Sequence, residues 1–128
     1  MVRAAQTLER ELSGLDLLVN NAGVAAQFPL RLTADGVEQT FQANFLGHFA
    51  LTTRLLPLLE RSAVARGAPS RVVHLTSGAH RGAPAAGVPL SLAGVNDGGI
   101  GAYARYGMAK LASLAFSAEL SRRHAATT

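Results

Sequence analysis

Cysteine is absent from this 128-residue chain, which also has no tryptophan and only 5% aromatic residues. Without thiols, the chain cannot form a disulfide, a thiolate metal site or a cysteine nucleophile. No apolar run approaches the roughly 20 residues that a membrane-spanning helix needs. The residues after Met1 mix polar and apolar types and do not form the core of a signal peptide. We therefore expect a soluble, cytoplasmic protein with no membrane span.

Charge of one sign is never concentrated along the chain, although the formal net charge is +4. The arginines are scattered among acidic residues, whereas a surface that follows a phosphate backbone needs clustered cations. We therefore expect no nucleic-acid partner. The histidines at 48, 74 and 80 lack a metal-like spacing with carboxylates, so no metal site is expected either.

The first part of the chain predicts a helix followed by a strand. Apolar residues spaced three and four apart indicate an amphipathic helix over Met1–Leu12. The nearly continuous apolar segment Leu15–Asn20 predicts a strand that is buried on both faces of a parallel sheet. Asn21–Gly23 then turns the chain.

A second helix is predicted to begin near Thr33 or Asp35, because Asp35 and Glu38 have the spacing of a capping pair. It should run to about Arg61. Gly47 and Pro57 lie inside that span, where they would bend or divide the helix.

The remaining segments complete an α/β pattern. A second buried strand is predicted over Arg71–Thr76, a long irregular loop over Gly78–Ala102, and a last helix from Tyr103 to about His124. The order helix, strand, helix, strand, helix predicts a partial Rossmann-like, doubly wound parallel sheet with two central strands and flanking helices. We interpret residues 1–128 as a single domain.

Three signals for chemistry occur in order along this pattern. The turn Asn20–Gly23 follows the first strand, Ser77 follows the second, and Tyr106 and Lys110 lie on the last helix. Open parallel sheets bind their ligands beyond the carboxyl ends of the strands, which is where the first two signals fall. We therefore expect a site at that edge.

Tyr106 and Lys110 are four residues apart, so their side chains share one face of a helix. A free phenol ionises near pH 10, and a nearby ammonium favours the phenolate. A tyrosine tuned in this way can exchange a proton with an alcohol while a hydride moves to or from a nicotinamide. Lys110 is the only lysine in the chain.

These motifs resemble the short-chain dehydrogenase/reductase family. The sequence has an NNAG motif at Asn20–Gly23, a strand-end serine at Ser77 and a YxxxK motif at Tyr106–Lys110, in the family's order. Asn44 matches the family's helix asparagine. The stretches Thr33–Gly36, Asn44–Phe49 and Ser77–His80 are most similar to the retinol-dehydrogenase-like branch.

The resemblance implies catalytic roles for four residues. Tyr106 would be the general acid/base, and Lys110 would favour its phenolate. Ser77 would hydrogen-bond the substrate carbonyl or hydroxyl, and Asn44 would hold a water in a proton relay that leads through Lys110. The implied substrate is a small alcohol or carbonyl compound.

The resemblance also implies cofactor contacts, with NAD or NADP as the cofactor. Lys110 and Tyr106 would face the nicotinamide ribose, Ala22 and Gly23 would let the backbone approach the cofactor, and Asn20 would tie neighbouring strands. The helices that contain Asn44 and Tyr106 would be the surface of a possible homo-oligomer.

The sequence departs from the family by lacking the TGxxxGxG turn that receives the cofactor pyrophosphate. The glycines of Asp97–Gly101 are no substitute, because they lead into the last helix. We expect a fragment that lacks the N-terminal dinucleotide-binding βαβ unit and the C-terminal strands, and that binds NAD(P) weakly. The alternative is a non-catalytic fragment that acts as an interaction or dimerisation module.

Overall fold

The computed structural model describes residues 1–124 and confirms the predicted order of the main elements. The helices are α1 (Val2–Glu11), α2 (Gln39–Phe41), α3 (Gly47–Arg66), α4 (Leu92–Val95) and α5 (Ala102–His124). A π-helical turn (Gln42–Leu46) joins α2 to α3, a 3₁₀ helix spans Gly78–Gly82, and the strands are β1 (Leu17–Asn20) and β2 (Arg71–His74).

The two strands form a parallel sheet in which Leu17 is paired with Arg71 and Asn20 with His74. The long crossover through α2 and α3 makes this arrangement possible, as parallel neighbours require. Both strands are shorter than predicted, and the carboxyl ends of both lie at the same edge of the sheet. The NNAG turn and Ser77 therefore leave the sheet side by side.

Only one face of this sheet is covered by the described helices. Leu18 packs with a cluster formed by Ala5 of α1 and by Leu55 and Leu58 of α3. The opposite face exposes Leu17, Val19, Val73 and Leu75, with 53%, 48%, 41% and 42% of their surfaces accessible. The prediction that Leu15–Asn20 is buried on both faces of the sheet is therefore wrong for residues 1–124, because the core clusters lie on one side.

The second helical segment begins at Gln39, later than the predicted start at Thr33 or Asp35. Glu38 is itself the N-cap, and its carboxylate accepts a 2.7 Å hydrogen bond from the Phe41 amide. Asp35 lies in the preceding turn and accepts a hydrogen bond from the Gln42 side chain, so it is no partner of Glu38 in a capping box. An antiparallel bridge between Leu32 and Glu38 holds this turn in a non-helical conformation.

Helix α3 continues to Arg66, five residues beyond the predicted end, and Pro57 lies inside it without dividing it. Gly67 ends the helix with a φ of +63°, a left-handed conformation that glycine adopts without steric cost. The predicted irregular loop Gly78–Ala102 contains the 3₁₀ helix and α4. Helix α4 packs Val95 into the core formed by α2 and α5.

Candidate active site

Asn20, at the end of β1, is 2% exposed and connects the strand to α3 rather than to a neighbouring strand. Its Nδ2 atom donates a 2.8 Å hydrogen bond to the Thr52 hydroxyl. Its Oδ1 atom is buried and accepts no hydrogen bond from the described residues. Within residues 1–124 this side chain makes no hydrogen bond to a neighbouring strand, while the Asn20 carbonyl accepts one from the Leu75 amide, directly after β2, at 3.2 Å.

Asn44 is fully buried in the π-helical turn and holds the backbone that follows the NNAG motif. Its Oδ1 atom accepts from the Val24 amide at 2.7 Å, and its Nδ2 atom donates to the Val24 carbonyl at 2.9 Å. The Asn44 carbonyl accepts from Ser113 of α5 at 3.2 Å and lies 3.2 Å from His48 Nδ1. Asn44 thus joins the turn, the π-helical segment and α5, while its role with a water stays a prediction.

Ser77 is half-buried at the start of the 3₁₀ helix. Its hydroxyl accepts a 3.2 Å hydrogen bond from the Ala79 amide, which leaves the hydroxyl proton free to be donated elsewhere. The Ser77 carbonyl accepts from the His80 amide at 3.0 Å and lies 2.7 Å from His80 Nδ1. These bonds fix the backbone of the segment that carries the serine.

Lys110 is 6% exposed, and its ammonium lies 5.6 Å from the centroid of the Tyr106 ring, within the range of a cation–π contact. The same ammonium donates a 2.9 Å hydrogen bond to the Leu75 carbonyl. The Thr76 hydroxyl in turn donates to the Lys110 carbonyl at 3.0 Å. Two hydrogen bonds therefore join the end of β2 to the helix of Tyr106, directly before Ser77.

Gly107 lets α5 approach the 3₁₀ helix closely. A Cβ atom at this position would lie 2.5 Å from the Ala79 carbonyl oxygen and 2.9 Å from the Ala83 amide nitrogen. Because no other residue fits there without displacing backbone, the glycine beside Tyr106 sets the distance between the tyrosine's helix and the segment after Ser77. Gly107 is not among the site residues predicted from the sequence, although a glycine inside a helical pattern is itself a signal of close packing.

Two histidines pack beneath this group of residues. Burial lowers the pKa of His48 below its ordinary value, an effect partly offset by the hydrogen bond to the Asn44 carbonyl and reinforced by the Lys110 charge. Burial also lowers the pKa of His74, and repulsion from His48 adds to this effect. Within residues 1–124, both ring nitrogens of His74 are buried without a hydrogen-bond partner, and its ring meets Phe116 edge-on at 5.2 Å. His74 therefore contributes packing contacts, while His48 also contributes its hydrogen bond to the Asn44 carbonyl.

A buried ion pair at the start of α5 is a further feature that was not predicted from the sequence. Arg105 and Glu38 are 3% and 0% exposed, and Arg105 Nε lies 3.7 Å from Glu38 Oε1. No local pattern predicts this pair, because its members are 67 positions apart in the sequence. Within residues 1–124, no group of three possible ligands could hold a metal ion, and no helix has the length and apolar character needed to cross a bilayer.

Comparison with known proteins agrees with the motifs. The sequence profile described as short chain dehydrogenase matches residues 1–89. The chain is 39% identical over 132 aligned positions to the short chain dehydrogenase/reductase dpchH of Colletotrichum higginsianum, covering 96% of this chain and 33% of that protein. It is 40% identical over 120 positions to human retinol dehydrogenase 13, covering 94% and 33%.

Solved structures show the same fold. A protein of Mycobacterium paratuberculosis superposes with a TM-score of 0.76 at 35% identity, covering 98% of this chain and 42% of that one. The Pseudomonas aeruginosa RhlG/NADP active-site complex superposes with a TM-score of 0.66 at 32% identity, covering 98% and 43%. The chain spans about a third of the length of the curated relatives it matches. It belongs to the short-chain dehydrogenase/reductase family and is similar to its retinol-dehydrogenase-like members.

Proposed function

We propose that this chain carries the acid/base site of an NAD(P)-dependent oxidoreductase that interconverts an alcohol and a carbonyl compound. The observation that carries the proposal is the position of the Lys110 ammonium. It lies 5.6 Å from the Tyr106 ring centroid while it donates to the Leu75 carbonyl, two residues before Ser77. The ammonium thus connects the Tyr106 ring to the backbone that leads into Ser77, and this connection supports the proposal.

In the proposed reaction, one alcohol loses a hydride from its carbon and a proton from its hydroxyl group, each to a different acceptor. Tyr106, as its phenolate, accepts the hydroxyl proton as the hydride leaves the adjacent carbon, and the resulting phenol returns that proton in the reverse reaction. The Ser77 hydroxyl donates a hydrogen bond to the substrate oxygen and holds it near the phenol. A bound nicotinamide supplies the hydride acceptor or donor.

The residues at the carboxyl edge of the sheet suit the nicotinamide end of such a cofactor. Ala22 and Gly23 are exposed and carry little or no side chain, so a ligand can approach the backbone there. An ammonium has three donors, and one of those of Lys110 binds the Leu75 carbonyl. The remaining donors are proposed to bind the ribose hydroxyls, beside the Tyr106 hydroxyl.

We also propose that the described residues act as one domain, since the side chain of Ser113 binds the Asn44 carbonyl across the structure. We further propose that a homo-oligomer forms through the helices of Asn44 and Tyr106. This proposal is based on Phe49 and Leu114, which are 39% and 40% exposed. The cytoplasmic location stays a prediction.

Two tyrosines in the same helix allow a matched experiment. The conversion of a panel of alcohols and carbonyl compounds is followed by nicotinamide absorbance at millimolar cofactor. Tyr106→Phe should lower turnover by about a hundredfold or more, the usual contribution of a general acid/base. Tyr103→Phe removes the other hydroxyl and should leave turnover unchanged. Unchanged turnover in Tyr106→Phe would remove the phenol from the mechanism.

A further inference from the structure

Arg105 directly precedes Tyr106 and is buried at the first turn of α5. Its Nη2 atom donates a 3.0 Å hydrogen bond to the Gln27 carbonyl, and its Nη1 atom donates to the Ile100 carbonyl. Its Nε atom faces the Glu38 carboxylate at 3.7 Å. One guanidinium therefore joins the helix of Tyr106 to the segment after the NNAG turn, to the turn before α5 and to the start of α2.

Glu38 is held from several sides, so it gives Arg105 a fixed counter-charge. One carboxylate oxygen caps the Phe41 amide at 2.7 Å. The Glu38 amide donates to Asn96 Oδ1 at 2.8 Å, and Asn96 Nδ2 donates to the Gly36 carbonyl at 2.7 Å. The loop before α5 is thus tied to the turn before α2 twice, once through Asn96 and once through Arg105.

Stability alone is a poor explanation for this arrangement. Moving two charges out of water costs free energy that their attraction often fails to recover, and apolar side chains of the same volume commonly stabilise a fold as well or better. Arg105, however, provides geometric control, because a planar guanidinium with several fixed donors defines a direction that an apolar side chain does not.

The direction that this anchor can control is that of the Tyr106 side chain relative to the axis of α5. The first turn of a helix lacks part of its hydrogen-bond ladder and frays unless it is anchored. Arg105 anchors that turn from inside, and Gly107 seats the other side of Tyr106 against the Ala79 carbonyl. Between these two fixed neighbours, the rotation of the turn about the helix axis is set.

We propose that Arg105, held by Glu38, is a positioning residue that orients Tyr106. The proposal rests on the function proposed above only for its catalytic consequence, because the orientation itself can be measured without turnover. A misplacement of about 1 Å at a reacting group can cost on the order of a hundredfold in rate.

The spectroscopic test uses the composition of the chain, which has two tyrosines and no tryptophan. In a Tyr103→Phe background, the tyrosine band of the near-ultraviolet circular dichroism spectrum reports on Tyr106 alone. The test variant is Glu38→Gln/Arg105→Met, which removes both charges and leaves no buried charge unpaired. The control is Glu119→Gln/Arg122→Met, the same pair of changes at an exposed ion pair of α5.

We expect the Glu38→Gln/Arg105→Met protein to keep a Tm close to that of the Tyr103→Phe parent and to lose most of the Tyr106 band. The Glu119→Gln/Arg122→Met control should keep both the Tm and the Tyr106 band of the parent. A Tyr106 band equal to that of the parent in a folded Glu38→Gln/Arg105→Met protein would overturn the proposal.

Arg105→Lys provides a second route if the double variant does not fold. A lysine keeps a charge beside Glu38 but lacks the fork that reaches the Gln27 and Ile100 carbonyls together, so the band should weaken while the protein stays folded. A full band in Arg105→Lys would overturn the proposal.

Turnover separates this proposal from the proposed function. Glu38→Gln/Arg105→Met or Arg105→Lys should lower kcat by about a hundredfold and leave the cofactor KM nearly unchanged. If Tyr106→Phe leaves turnover intact, the catalytic role fails, and the dichroism result still decides whether Arg105 orients Tyr106.

Discussion

Gly23 lies against Asn44 so closely that a Cβ atom on the glycine would be 2.7 Å from Asn44 Oδ1. That oxygen accepts the Val24 amide hydrogen bond at 2.7 Å. Gly23, the last residue of the NNAG motif, must therefore be small because the buried side-chain amide of Asn44 occupies the space where a Cβ atom would lie. Any benefit to a cofactor that approaches the same backbone comes in addition to this packing requirement.

Gly23→Ala should accordingly destabilise the fold. The methyl group must displace Asn44 or the turn, and overpacking of this kind costs about 1–3 kcal/mol in the free energy of unfolding. Urea denaturation followed by far-ultraviolet circular dichroism measures the change. Gly98→Ala is the matched control, since a Cβ there meets no heavy atom within 4 Å. Equal stabilities for the two variants would contradict the packing role.

The order of elements could be predicted because it depends on local patterns. Helix α5 shows apolar residues at helical spacing, and the segment before Asn20 is almost continuously apolar. The NNAG turn and Ser77 then fall at one edge of the sheet for topological reasons alone, because parallel strands end on the same side. This part of the candidate site needed no tertiary information.

The features that the sequence could not predict depend on contacts between distant residues. Helix α2 starts at Gln39 rather than near Asp35 because the Glu38 amide binds Asn96, 58 positions away. The Asn44 amide holds Val24 across 20 positions, and Arg105 reaches Gln27 across 78. No periodicity or cap pattern records such pairings, so the helix start, the role of Asn44 and the buried ion pair all required the structure.

The hydrogen bond between Asn20 and Thr52 should contribute measurably to stability. Both side chains are buried, and Thr52→Val leaves the Asn20 amide donor without its partner. A buried donor left unsatisfied costs about 1–3 kcal/mol. Thermal and urea unfolding measure the loss.

Thr53→Val is the control for this comparison, because it makes the same change at the next residue. The Thr53 hydroxyl binds the Phe49 carbonyl of its own helix, so its removal should change the free energy of unfolding by no more than about 0.5 kcal/mol. An equal loss in both variants would show that the threonine type, and not its contact with Asn20, determines stability.

Acid should destabilise the protein through His74. Its pKa is lowered in the fold from the ordinary value of 6.5, first by burial, so the unfolded chain binds the proton more readily. The stabilisation from the neutral ring is fully present above about pH 6.5 and is lost as the pH falls towards the folded pKa. The pKa of His48 is also lowered in the fold, so its protonation should destabilise the protein in the same way.

His74→Phe should therefore make the free energy of unfolding less dependent on pH below about pH 6.5. The phenylalanine ring in this variant should preserve the edge-on contact that the His74 ring makes with Phe116. Urea denaturation at a series of pH values measures the slope, with His80→Asn as a control histidine outside this cluster. An unchanged slope in His74→Phe would assign the acid sensitivity to other groups.

Cofactor binding by the 128-residue chain should depend on the nicotinamide end alone. Lys110, Tyr106, Ala22 and Gly23 are proposed to meet the nicotinamide riboside, whereas the pyrophosphate of a dinucleotide normally binds a glycine-rich turn at a helix N-terminus. The sequence contains no TGxxxGxG turn.

Calorimetry should therefore give weak and nearly equal affinities for nicotinamide mononucleotide and for NAD or NADP. Lys110→Met should abolish both, since it removes the donors proposed for the ribose. Micromolar binding of a dinucleotide, far tighter than that of the mononucleotide, would show that other residues of this chain receive the pyrophosphate.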